Sequence, residues 1–257
     1  MHFRRVAVYM DRNTLRAASS IITKSHYLVA LTGAGVSTGS GIPAFRGMSG
    51  LWQVFDPALA CIDMFLEDPH HVWEMTRALI AMVTGSEPNP AHHALAAMER
   101  VGVLKGLITQ NIDNLHHRAG SRFVIDLHGS VGKLHCLTCN IDVNCEDFDV
   151  KEDDPLCPHC SAVLKPGMVL FGETVPFGAL MEARLLASTT DAMLVIGTSA
   201  VVNPAAELPV IAKVNRAKII EINIEPTGLT NSITDVFIRG RAEVVLPDLL
   251  GAMSPRG

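Results

Sequence analysis

No apolar run in this 257-residue chain reaches the roughly 18 residues that a membrane-spanning helix requires, so no membrane association is expected. The apolar stretch Val6–Met10, behind Arg4 and Arg5, is too short for a secretory signal and stops at Asp11. Basic residues are not in excess: 21 Lys and Arg stand against 26 Asp and Glu, a formal net charge of −5. That balance removes any general electrostatic case for nucleic-acid binding. Internal repeats and low-complexity tracts are also missing. Apolar residues make up 48% and charged residues only 18%, enough for a substantial core in one large domain or a large and a small one. With no secretory signal, the six cysteines predict a reducing, cytoplasmic location, where CxxC pairs hold metal more often than they form disulfides.

What the chain does contain is two CxxC pairs, Cys136/Cys139 and Cys157/Cys160, with 17 residues between Cys139 and Cys157. This is the spacing of a structural tetrathiolate zinc site, one ion per chain. His135 and His159 neighbour these cysteines, but four thiolates already complete a tetrahedral shell. Cys61 and Cys145 are left over and have no evident partner, which predicts inert thiols.

Around the cysteines, strand and helix patterns alternate. Residues 13–25 place Leu15, Ala18 and Ile22 on one helical face, with Asn13 or Thr14 as cap. Tyr27–Leu31 reads as a strand that feeds a turn, and residues 51–86 read as irregular and helical. Asn89 caps a helix started by Pro90 and ending near Gly102. Leu104–Thr109, Val124–Leu127, Met193–Ile196 and Lys218–Ile222 read as strands, and 205–217 as helix. The acidic loop Glu146–Asp154 joins the two cysteine pairs. Alternation of this kind predicts a parallel α/β sheet.

Three segments carry candidate site residues. LTGAGVSTGSGIPAFRG, residues 31–47, is a strand-to-helix turn whose glycines can bring backbone N–H groups close to a pyrophosphate. It departs from GxGxxG, since Thr38 stands where the third glycine would fall, and a ligand-free turn is the competing reading. No acid about 20 residues on is clearly the ribose ligand; Glu225 in INIEPT can serve instead, which argues against simple hydride transfer. TQNIDNLHHRAG, residues 109–120, sets Gln110, Asn111 and Asp113 behind a strand. Such polar groups can recognise a carboxamide or ribose, or merely form an Asx turn that caps a helix. In DLHGS, His128 ends a strand and can act as a general base, although a lone histidine among 11 is more often a packing residue.

Taken in order, GAGVSTGSGIPAFRG, TQNIDNLHHRAG, the LHG histidine, the two CxxC pairs, KPGMVLFGE (165–173), GTS (197–199) and INIEPT (222–227) resemble the sirtuins, NAD-dependent protein-lysine deacylases. The resemblance runs from about Leu28 to Leu250, and its departures, such as Val36 and Ala44, remove no group needed for chemistry. The termini are short, so the long regulatory tails of some members are not expected. The resemblance implies a large Rossmann-like domain (1–47, 92–132 and 167–257) and a smaller helical plus zinc-ribbon domain (48–91 and 133–166). NAD would lie in the cleft between them. By the same likeness Gly33, Ala34 and Gly35 approach the phosphates, Ser37 belongs to the cofactor-binding set, Arg46 contacts phosphate or orders its loop, and Phe45 covers the nicotinamide pocket. Gln110 and Asn111 hold the nicotinamide ribose, while Ile112 and Asp113 receive the carboxamide. Gly197, Thr198 and Ser199 meet phosphate, and Asn223 and Glu225 bind the adenosine ribose. Met168, Val169, Leu170, Phe171 and Gly172 would pair with an acetylated-lysine peptide as an added strand.

The implied reaction transfers the acyl group from lysine to ADP-ribose, with His128 as base and Asn111 assisting; the products are free lysine, nicotinamide and O-acyl-ADP-ribose. Two other readings stay open. One is mono-ADP-ribosyl transfer on the same scaffold, against which the intact His128 and Asn111 argue. The other is a non-enzymatic NAD- or zinc-dependent binding module, which predicts a damaged His128 or Asp113. Sirtuins that prefer acidic acyl groups carry a Tyr-x-x-Arg pair, and here Trp73 and Thr76 are expected at those two positions, with Arg77 turned away. A neutral acyl pocket is therefore expected, in a chain acting as a monomer.

Overall fold

The computed structural model describes residues 11–45 and 50–253. Arg46, the Val6–Met10 run and the expected domain boundary at 47/48 lie outside the described residues. Helix α1 (Arg12–Lys24) starts one residue earlier than its apolar periodicity predicts. Its cap is Asp11, whose carboxylate accepts from the Asn13 and Thr14 amides at 3.0 and 3.3 Å. Strand β1 (Leu28–Thr32) then enters two short 3₁₀ turns, Ala34–Val36 and Thr38–Ser40. Further 3₁₀ turns at Leu51–Gln53 and Pro57–Ala60 lead into α2 (Ile62–Glu67) and α3 (Pro69–Thr84). Asn89 and His92 form a reciprocal cap on α4 (Pro90–Arg100).

The order continues through β2 (Leu104–Thr109), α5 (Leu115–Arg118), β3 (Val124–Asp126), β4 (Gly129–Cys136), β5 (Ile141–Asn144) and β6 (Lys165–Met168). It ends with α6 (Phe177–Thr189), β7 (Ala192–Ile196), α7 (Leu208–Val214), β8 (Lys218–Asn223), β9 (Val236–Arg239) and α8 (Ala242–Met253). The helix expected over 205–217 is a 3₁₀ turn, Ala205–Glu207, followed by α7, which carries Pro209 in its first turn.

Six strands form a parallel sheet in the order β3-β2-β1-β7-β8-β9. Strands β1 and β7 are buried along their whole length, as continuous apolar runs in a doubly covered sheet should be. One core lies on the face covered by α1, α4 and α8, and a second on the face covered by α6 and α7. The chain leaves β1 toward β2 on one side and β7 on the other. That order reversal opens a crevice at the carboxyl ends of the strands, where α/β sheets bind ligands. A third core joins residues from 51–83 to the three-stranded antiparallel sheet β5-β4-β6, with Trp73, Leu134 and Leu164 fully buried.

Candidate active site and metal centre

The ends of β1, β2, β7 and β8 meet at the crevice. The two glycine-bearing turns lie backbone on backbone: the Gly35 amide donates to the Gly197 carbonyl at 2.8 Å. A Cβ at Gly35 would stand 2.7 Å from the Gly197 Cα, and one at Gly197 (φ +59°) would stand 2.6 Å from the Val36 nitrogen. Gln110 Nε2 donates to Thr198 Oγ1 at 3.0 Å, and Asn223 Nδ2 donates to the Thr198 carbonyl at 2.9 Å. Side chains at the carboxyl ends of β2, β7 and β8 are thereby tied into one wall.

A cleft of about 1000 Å³ runs across this wall and on between the parallel sheet and the third core. At one end are Gly33, Ala34, Gly35, Gly197, Thr198, Ser199, Asn223 and Glu225. At the other are Met168 to Gly172, Ala60, Met75 and Leu79, with His128, Gln110, Asn111 and Ile112 also on the lining. A side pocket of about 30 Å³ adjoins it, walled by Ser37, Phe45, Ile112, Asp113, Leu79 and Val83. Phe45 packs on Trp52 (centroids 5.3 Å apart), and Trp52 on Phe171 (6.1 Å), an aromatic row between the glycine turn and the 168–172 segment.

Behind the side pocket is a buried polar network. Ser37 Oγ donates to Asp113 Oδ2 at 2.6 Å, and the Leu115 amide donates to Asp113 Oδ1 at 3.0 Å. Burial nonetheless raises the Asp113 pKa above the ordinary carboxylate value. Asn111 Nδ2 donates to Ser37 Oγ at 3.0 Å. The Asn89 amide donates to His92 Nδ1, so the neutral ring carries its proton on Nε2, 3.4 Å from Ser37 Oγ. Burial lowers the His92 pKa to about 4. Deeper still, His116 Nε2 meets Thr32 Oγ1 at 2.9 Å, and Thr32 donates to Thr109 Oγ1 at 2.9 Å. His92 and His116 are buried supports that no local sequence pattern marks.

His128 is held by the Gln110 carbonyl, 3.0 Å from its Nδ1. A carbonyl only accepts, so Nδ1 carries the proton and Nε2 keeps the lone pair of a base. Burial lowers the His128 pKa, which keeps the ring neutral near pH 7. Gly129 takes φ +72°, and a Cβ there would fall 2.1 Å from the Gly167 carbonyl oxygen, so the strand after His128 can press against β6.

The four cysteines form a candidate metal centre. All four Sγ atoms lie within 4.8 Å of one another, with Cys136–Cys160 at 3.7 Å and Cys139–Cys157 at 4.0 Å. A zinc–thiolate tetrahedron with bonds of about 2.3 Å has edges of about 3.8 Å, so the donor set fits zinc. Each knuckle closes through a left-handed residue, Asn140 (φ +56°) and Ser161 (φ +60°), with backbone bonds of 2.8 and 2.9 Å to the first cysteine's carbonyl. His135 Nδ1 is turned to Asp142 at 2.8 Å instead.

The expected acyl-selecting positions are corrected. Trp73 is buried with its Nε1 donating to the Leu164 carbonyl at 2.9 Å, and Thr76 Oγ1 donates to the Val72 carbonyl at 2.8 Å. Met75 and Leu79, one helical turn apart, line the cleft in their place. The irregular apolar content of the segment hides which face of α3 meets the cleft. Arg77 points to the acidic loop, with Nη2 2.6 Å from Asp154 and Nε 2.9 Å from the Val150 carbonyl.

Comparison with known proteins agrees with this geometry. A family model described as the Sir2 family matches residues 33–204. A curated relative from Thermococcus kodakarensis, named NAD-dependent protein deacylase, is 45% identical over 240 residues, 91% of this chain and 93% of the relative. A solved complex of a Sir2 homologue with NAD has a TM-score of 0.88 at 46% identity, covering 92% of this chain and 93% of that one. A Sir2 enzyme bound to a myristoylated histone peptide has a TM-score of 0.79 at 41% identity, covering 94% and 96%.

Proposed function

The chain belongs to the Sir2 family, and on that premise we propose that it is an NAD-dependent protein-lysine deacylase that removes acetyl or other neutral acyl groups. The observation that carries this reading is the position of His128. Its unprotonated Nε2 belongs to a cleft that has a glycine-turn end suited to a dinucleotide and an apolar end suited to an acyl-lysine.

NAD supplies the nicotinamide leaving group and the ADP-ribosyl acceptor. The backbone of Gly33, Ala34, Gly35 and Gly197, with Thr198 and Ser199, would hold the diphosphate. Gln110 and Asn111 would hold the nicotinamide ribose, and Asn223 and Glu225 the adenosine ribose. The side pocket, with Ile112, Ser37 and Asp113, would take the carboxamide under Phe45. His128 Nε2 would accept a ribose hydroxyl proton, and its low pKa keeps it ready to do so. The apolar walls exclude water from the reacting sugar. Met168–Gly172 would pair with the peptide backbone.

Cys136, Cys139, Cys157 and Cys160 would hold zinc, whose four thiolates leave no open position for water, so its contribution is to fold the ribbon. On this reading the chain divides into a Rossmann-like part (1–47, 92–132, 167–257) and a small part (48–91, 133–166). It would act as a monomer without nucleic-acid affinity, in a cytoplasm that keeps the six unpaired cysteines reduced. None of the described helices is long and apolar enough to cross a membrane.

Mass spectrometry of products from NAD and a panel of acyl-lysine peptides tests the function. Nicotinamide, free lysine and O-acyl-ADP-ribose are expected, one of each per NAD, acyl-lysine and water consumed. A peptide heavier by one ADP-ribosyl group would instead establish ADP-ribosyl transfer.

A further inference from the structure

The segment 165–173 begins with a cation and ends with an anion, and the two side chains meet. Lys165 Nζ lies 3.0 Å from Glu173 Oε2, and Lys165 is only 4% exposed. Burial lowers its pKa while Glu173 opposes that shift. The ammonium has three protons and finds three acceptors: Glu173, the Pro166 carbonyl at 2.9 Å and the Met168 carbonyl at 2.7 Å. Glu173 Oε2 also accepts from the Leu170 amide at 2.7 Å, and the Glu173 amide donates to the Leu170 carbonyl at 3.0 Å. The pair thus bonds to the backbone at Pro166, Met168 and Leu170.

The same segment is tied to the remainder of the cleft by backbone bonds, beside the apolar packing of Met168, Leu170 and Phe171. The Val169 amide donates to the His128 carbonyl at 2.8 Å, and the Phe171 amide to the Ala60 carbonyl at 2.7 Å. A buried ion pair is a poor way to stabilise a fold, since apolar residues of equal volume often do as well. What it provides is a directed set of charge-assisted bonds that fix one backbone conformation.

We propose that Lys165 and Glu173 are positioning residues for the acylated peptide, a two-sided clamp that fixes the backbone of Met168–Gly172, with its closing Leu170–Glu173 turn (Gly172 φ +91°), in the form with which the peptide backbone pairs. The proposal rests on the reading of Met168–Gly172 as the peptide-binding strand. The clamp acts on the peptide and not on NAD, since its bonds go to this segment and to none of the glycine-turn wall.

The test compares Glu173→Gln, Lys165→Met and Lys165→Arg with the parent enzyme, by steady-state kinetics with NAD and either an acetyl-lysine peptide or N-acetyl-lysine amide. Glu173→Gln keeps the side-chain shape and is the milder variant should Lys165→Met fold poorly. The peptide KM should rise about tenfold or more in Glu173→Gln and Lys165→Met, with the NAD KM within twofold of the parent. Lys165→Arg, which keeps the charge, should recover part of the loss. Turnover of N-acetyl-lysine amide, which has no flanking backbone to pair, should fall much less than that of the peptide. An equal loss for both substrates and for NAD, with a lowered Tm, would overturn the clamp in favour of general destabilisation. Peptides N-methylated at the residues flanking the acyl-lysine separate the premise from the proposal. If N-methylation leaves the parent's KM unchanged, Met168–Gly172 is not a pairing strand and the clamp falls with it. If N-methylation weakens the parent but the variants keep its peptide KM, the clamp alone is refuted.

Discussion

A carboxylate on the acyl group should be rejected, and the lining of the cleft sets how strongly. The walls at the acyl end are Ala60, Met75, Leu79, Ile112, Val169 and Phe171, none of which can pair with an anion. Among the described residues of the cleft, the charged side chains are Glu173, Glu225 and Arg241; the cation Arg241 follows β9 beside the nucleotide end and bonds Glu243. Arg77, the nearest cation in sequence to Leu79, is engaged with Asp154. His128 has a lowered pKa and stays neutral near pH 7. A succinyl carboxylate would enter unpaired, at about 3–5 kcal/mol if fully desolvated. With ~1.4 kcal/mol per factor of ten, this corresponds to a roughly 10²- to 10⁴-fold loss in kcat/KM, with an open cleft favouring the lower end. The assay uses one peptide in acetyl, butyryl and succinyl forms. Butyryl has the same chain length as succinyl without the charge, so the butyryl-to-succinyl ratio isolates electrostatics. Succinyl turnover within a few-fold of butyryl would refute the reasoning. An equal drop for butyryl and succinyl would show that pocket length, not charge, selects.

Three further outcomes are expected. His128→Ala should lose about 10²- to 10⁴-fold in rate while still binding NAD, and the acid limb of the parent's kcat/KM profile should fall below pH 6.5, because the base works unprotonated and burial depresses its pKa; retained turnover, or a limb above pH 6.5, would contradict the assignment. Zinc measured by metal analysis should equal one per chain, and stripping it with a chelator should melt the ribbon and abolish activity, whereas full activity in metal-free protein would exclude a structural role. The pKa of His92 is about 4 in the fold against 6.5 unfolded, so the unfolded chain alone gains a proton between these values. Stability is therefore full above about pH 6.5 and should drop by about 3 kcal/mol as pH falls toward 4. Urea unfolding of His92→Gln should show a weaker pH dependence than the parent, and equal dependence would contradict the assignment.

The features legible in the sequence are those written in contiguous residues. The β1 run with its glycines, the polar triplet after β2 and the cysteine spacing each carry their own local signal, and the sheet follows from their alternation. Helix α6 escaped notice because Phe177, Met181 and Leu185 are exposed, so apolar residues surround the helix and its periodicity is weak. Strand β9 is only Val236–Arg239, and α8 carries Pro247 in its interior, a residue that reads as a breaker. The supports of the site were hidden for another reason. Thr32 and His116 are 84 residues apart, as Ser37 and Asp113 are 76 apart, and no local pattern links them. The error at Trp73 has the same root: which face of α3 meets the cleft is decided by packing against Leu164, a residue outside the helix.

The stacking of the two glycine turns limits how this site can be altered. Each glycine excludes a side chain because of the other's backbone, so the constraint belongs to the pair and not to either position. Replacing one yields a clash that replacing the second cannot relieve, since both partners supply main-chain atoms. No compensating substitution exists within the two loops; only a shift of β1 against β7 would open space, and these strands are paired over five residues. An engineer wishing to widen the nucleotide end would do better to work from the Ile224 and Pro226 positions, which line it on the opposite side and have no part in the glycine pair.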